Sequence, residues 1–165
     1  MKRSLRKQLE QLNKVKAACA APPGSAGAAD IPSPDAMVDL HKSWHVLHYL
    51  LTGTADGGSA PLNLLMTGGE DIGDDVGYGP ARVWNAATVQ AFADAVRGLS
   101  VEDLMARADY ARMLEAQIYS CDEADDDPEM ALMELQETVE HYFPALQAFV
   151  TKAAKERACA LVWMS

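Results

Sequence analysis

SPDAMVDLHKSWHVLHYLLTGT, residues 33–54, decides the fold class, because one apolar stripe runs through it at helical spacing. Met37, Leu40, Trp44, Leu47 and Leu51 follow one another at intervals of three, four, three and four residues, the period of a helix burying one face. Ser33, Pro34 and Asp35 supply a start signal: a capping hydroxyl, a proline whose missing N–H is harmless in the first turn, and an acid near the positive end of the dipole. Gly53 follows the last apolar position, where helices often end in the left-handed conformation. The spacing therefore predicts an amphipathic helix from about residue 35 to residue 52.

Upstream, Leu5, Leu9, Leu12 and Val15 also recur at helical spacing, so residues 1–19 read as a basic amphipathic helix. Residues 20–34 are Ala, Pro, Gly and Ser with almost no large side chain, the composition of a linker. The remaining residues, 35–165, are expected to form one domain.

Downstream, eight of the eleven glycines fall between Gly53 and Gly79. That stretch reads as a long surface loop with one helical turn at Pro61–Met66, and loops of this length in compact domains are often binding loops or lids. Ala81–Trp84 reads as a strand leading into a helix capped at Asn85 or Thr88 and running to Leu99. Ser100 with Asp103 restarts a helix, and Asp109 caps a further segment, Tyr110–Tyr119. Asp127 and Pro128 open a long helix expected to bend near Pro144 and to end near Arg157, before a closing apolar strand at Cys159–Met164. Together these elements predict an α+β fold: a mostly helical single domain with a small sheet.

Composition narrows the function classes. Hydrophobic residues make up 49% and charged residues 23%, which places the chain among ordinary globular proteins. Cys19, Cys121 and Cys159 are odd in number and widely spaced, fitting a reducing compartment. Glu10, Lys14 and Lys16 interrupt any apolar run that would make the start an export signal, and Lys16 stands where a lipoprotein signal before Cys19 needs an apolar residue. With no apolar run of ~20 residues, the expectation is a soluble cytoplasmic protein without membrane contact. Residues 1–16 hold six cations against Glu10, a net of +5, so the rest of the chain carries −15 of the overall −10. Such a body repels nucleic acid and favours a basic protein partner.

Asp39–Thr54, DLHKSWHVLHYLLTGT, resembles the signature of the YfbM-like family of small bacterial proteins. Lys42, Trp44, Leu47, His48, Thr52 and Gly53 match the family pattern. YGPAR at Tyr78–Arg82 and the pair Ile118–Tyr119 are similar to its later landmarks, and the resemblance covers about residues 35–165. It implies a small α+β domain and no settled biochemical role. Two departures stand out. The family usually begins with a short apolar strand, which the basic start of this chain replaces, so an edge of the sheet is expected to lie open. His41 stands where the family pattern has Asp.

His41, His45 and His48, at i, i+4 and i+7, form a stripe of histidines on one helical face. Imidazoles so placed are candidate zinc or nickel ligands, but all three on a straight helix span about 10 Å of rise, too far for one ion, so a structural stripe is the simpler reading. Asp71, Asp74 and Asp75, with Glu70, lack the pattern of a calcium loop and read as a solvated loop. From Asp122 through Glu129, Glu134, Glu137 and Glu140 the chain has no Lys or Arg until Lys152, which makes a long acidic edge suited to a basic protein. Arg82 at the loop exit is suited to holding a carboxylate or phosphate, or to pinning the loop through its own aspartates. No nucleophile elbow, phosphate loop or dinucleotide fingerprint is present.

These observations lead to an expected non-enzymatic protein-binding module without a cofactor, for example an immunity-type inhibitor that covers a toxin's basic active site. The candidate binding surface is Lys42, Trp44, His48, Tyr78, Arg82, Asp71, Asp74 and Asp75. The alternative is a small metal-binding domain or hydrolase using His41, His45 and His48, and a third reading is a self-associating domain.

Overall fold

A computed structural model describes residues 37–75, 79–121 and 127–164. The expected basic helix and linker, and Tyr78 of the candidate surface, lie outside the described residues.

The stripe of residues 37–51 does not form one helix. Residues 37–40 are irregular, His41–Ser43 make a 3-10 turn, and the first α-helix, α1, runs Trp44–Thr52. The cause is local: His41 has φ +46°, its N–H donates to Asp39 Oδ1 at 2.8 Å, and Ser43 Oγ donates to the Leu40 carbonyl at 2.6 Å. This side-chain-closed turn replaces the helical ladder. Met37 is consequently 59% exposed, whereas Leu47, Leu50 and Leu51 reach the core. Gly53 ends α1 as expected, at φ +74° with its N–H on the Tyr49 carbonyl.

The glycine-rich stretch holds the expected helical turn, a 3-10 helix at Leu62–Leu65, and also a strand that composition did not show, β1 (Glu70–Ile72). β1 pairs antiparallel with β2 (Ala81–Trp84), which pairs antiparallel with β3 (Ala160–Val162), giving the order β1-β2-β3. Gly69 is required where it stands. Its φ is +92°, and a Cβ there would lie 2.8 Å from both Trp84 Cδ1 and the Val83 carbonyl oxygen.

The remaining helices follow their caps. Asn85 accepts the Thr88 N–H to open α2 (Ala86–Val96), and Ser100 and Asp103 form the reciprocal capping box of α3 (Val101–Met105). Asp109 opens α4, which covers Tyr110–Glu115 rather than reaching Tyr119. It stops because Gln117 turns left-handed, φ +53°, and lets the Ile118 N–H bond back to the Met113 carbonyl. Asp127 caps α5 (Pro128–Lys155), which contains Pro144 within its length. α5 packs against α2, α3 and α4. The core gathers Leu47 and Leu50 of α1, Phe92 of α2, Phe143 of α5 and Trp84 of β2, all almost fully buried. The fold is thus the expected mostly helical α+β domain with a small antiparallel sheet. Among the described residues no helix is long and apolar enough to cross a membrane.

Candidate interaction surface

The residues nominated from sequence separate into three environments. His48 is fully buried on α1, and neither of its ring nitrogens has a hydrogen-bond partner. Burial lowers its pKa below the ordinary 6.5 and the neighbouring His45 adds to the fall; the Gly57 backbone and Asp56 oppose it, without either ring nitrogen reaching hydrogen-bond geometry. His48 is therefore a neutral core residue.

Arg82 is a structural clamp. Its Nη1 donates to the carbonyls of Leu64 at 3.3 Å and Gly68 at 3.1 Å, and its Nη2 to that of Leu65 at 2.8 Å. The guanidinium thus satisfies carbonyls in and just beyond the short 3-10 helix, pinning the glycine-rich stretch through its backbone rather than its aspartates. Burial pulls Arg82 below its usual pKa, and Asp71, its cross-strand neighbour, opposes that shift. Asp75 accepts the Gly79 N–H at 2.9 Å, and Asp71, Asp74 and Asp75 are all exposed.

Lys42 and Trp44 meet Tyr119, which the sequence reading did not nominate as a site residue, and Trp44 meets His45, nominated only as a metal ligand. The Trp44 ring stacks on His45, centroids 4.8 Å apart and planes 11° apart, and lies 6.5 Å from the Tyr119 ring at 22°. Lys42 Nζ lies 5.6 Å from the Tyr119 centroid, in cation–π range. Tyr119 is 50% exposed and Trp44 is partly exposed. His45 holds the group together. Its Nδ1 accepts the Tyr119 N–H at 2.9 Å, so Nε2 carries the proton and donates to the Ala55 carbonyl at 2.8 Å. Two left-handed non-glycine residues flank this surface, His41 before Lys42 and Ser120 (φ +81°) after Tyr119. Unlike Gln117 and Arg157, which follow helix ends, neither terminates an α-helix. Backbone strain of this kind persists only where the surroundings enforce it.

The three candidate metal histidines do not converge. His41 is exposed beside Asp39, 3.7 Å away, and Tyr142; His45 uses both nitrogens on the backbone; His48 is enclosed. Among the described residues no group of three or more His, Cys, Asp or Glu side chains is arranged to hold a metal ion. Tyr119 was legible only as half of the Ile118–Tyr119 landmark, since nothing in local spacing joins it to Trp44.

The geometry defines a small α+β domain that carries an exposed, hydrogen-bond-fixed aromatic surface with one lysine. The chain belongs to the family described as domain of unknown function DUF1877, whose model matches residues 5–163. No curated protein and no solved structure matches it.

Proposed function

We propose that this chain is a non-enzymatic protein-binding module that receives a basic protein on the Trp44–Tyr119 surface. The observation that carries the reading is the fixed stack of His45, Trp44 and Tyr119, with Tyr119 half exposed. Tryptophan and tyrosine dominate binding energy at interfaces because they offer large rigid area at low entropic cost. The −15 charge on residues 17–165 supplies steering, and the acids of residues 122–126 follow Tyr119 closely in sequence. Arginine side chains, which stack on aromatic rings and pair with carboxylates, suit both features. A concrete form is an immunity-type inhibitor that covers the basic active site of a toxin.

The test is crosslinking and recovery of the partner, followed by calorimetric titration of that purified partner into the wild type, Trp44→Ala and Tyr119→Ala. The expected result is a basic partner whose affinity falls at least tenfold, about 1.4 kcal/mol, in each variant and weakens with salt. A partner that binds both variants as tightly as the wild type overturns the reading.

A further inference from the structure

The solvent face of α5 is charged in opposite senses at its two ends. Over 28 residues, about 42 Å of helix, its first half exposes Glu129, Glu134, Glu137 and Glu140 and its last turns expose Lys152 and Lys155. At the acidic end Met130 and Met133 are 58% and 66% exposed, although they are large apolar side chains. At the basic end α5 borders a cleft of about 620 Å³ lined by the cations Arg97, Lys152 and Lys155 with Gln147, Thr151 and one acid, Glu156. Three of the eight cations beyond residue 16 thus line one cleft in a strongly acidic body. Between the two ends the same face carries Pro144, Ala145 and Ala148, all exposed and small enough for a second helix to approach closely.

We infer that this face is an interface between two copies of the chain, joined antiparallel through α5. The argument is charge complementarity of the face with itself, which an isologous two-fold contact requires. A two-fold axis level with His141 and Pro144 sets Met130 and Met133 of one copy against Lys155 and Lys152 of the other. It also sets Glu137 against Ala148. The lysine stems then cover the methionines, and the ammonium groups lie among Glu129, Glu134 and Glu137. Parallel pairing would instead align Glu with Glu and Lys with Lys, and like charges repel. The overall −10 of each chain opposes association at long range, but salt at physiological strength screens that beyond about 8 Å and leaves the close pairs. This interface uses none of the Trp44–Tyr119 surface and does not depend on the proposed function.

Sedimentation equilibrium of the full chain at physiological ionic strength tests it, using the wild type, Lys152→Glu with Lys155→Glu, and Glu134→Lys with Glu137→Lys. The wild type is expected to be a dimer, and each double variant to dissociate with at least about tenfold weaker self-affinity. Equimolar mixing of the two double variants is expected to restore a dimer containing one of each, which also shows that both variants are folded. A monomeric wild type at about 100 μM, variants that dimerise as the wild type does, or a mixture that stays monomeric overturns the inference.

Discussion

His45 accepts the backbone N–H of Tyr119 on Nδ1 at 2.9 Å, joining two positions that lie 74 residues apart in the chain. The same ring donates from Nε2 to the Ala55 carbonyl at 2.8 Å, so one side chain ties α1 to the loop after it and to the turn that presents Tyr119. Replacing His45 by Phe keeps a ring under Trp44 but leaves both backbone groups without a partner. The expected loss is about 1–3 kcal/mol in a urea titration, with a matching loss of partner affinity in calorimetry. An unchanged denaturation midpoint would show that the ring only stacks.

His48 predicts how stability responds to pH. Its folded pKa is lowered from 6.5, so as pH falls below about 6.5 the unfolded chain takes up a proton that the native core refuses. Its contribution is therefore intact above that value and is lost as pH falls from 6.5 toward the lower folded pKa. Denaturation midpoints measured between about pH 7 and pH 5.5, above the main carboxylate range, should fall in the wild type and fall less in His48→Leu. Because both ring nitrogens lack partners, His48→Leu should also keep or raise stability at neutral pH.

Arg82→Lys tests the clamp on the 3-10 helix. Lysine keeps the charge but cannot place two nitrogens among the carbonyls of Leu64, Leu65 and Gly68. A loss of about 1–3 kcal/mol is expected, with faster amide exchange confined to residues 62–72. Wild-type stability would show that the charge alone suffices.

Gly69→Ala places a methyl group 2.8 Å from Trp84 Cδ1 and from the Val83 carbonyl oxygen, at a φ of +92° that alanine disfavours. The sheet would have to shift, and the expected destabilisation exceeds about 1 kcal/mol in thermal or urea unfolding. Gly53→Ala, with open space around the new methyl group, should lose less.

Elements whose signals are local were legible. Asn85, Ser100 with Asp103, Asp109 and Asp127 each open a helix where the sequence placed one, because a cap acts within three residues of itself. Two other readings failed, one for a local reason and one for a distant one. Met37 and Leu40 continue the apolar period, yet the turn closed by Asp39 and Ser43 removes them from the helix and takes His41 out of the supposed histidine stripe. β1 was hidden because Glu70-Asp71-Ile72 has little strand character; it extends because β2 supplies its ladder.

Sequence alone determined the α+β class, the starts of the later helices and the acidic body, since each follows from composition or short-range spacing; the interest of Lys42 and Trp44 came from the resemblance to a family signature. Tertiary structure alone decided what the nominated residues do. It enclosed His48, turned Arg82 onto backbone carbonyls and brought Tyr119 from the far side of the chain onto Trp44. The reason is physical. Burial and long-range hydrogen bonding depend on which segments meet in the folded chain, and no local pattern around His48, Arg82 or Tyr119 encodes that meeting.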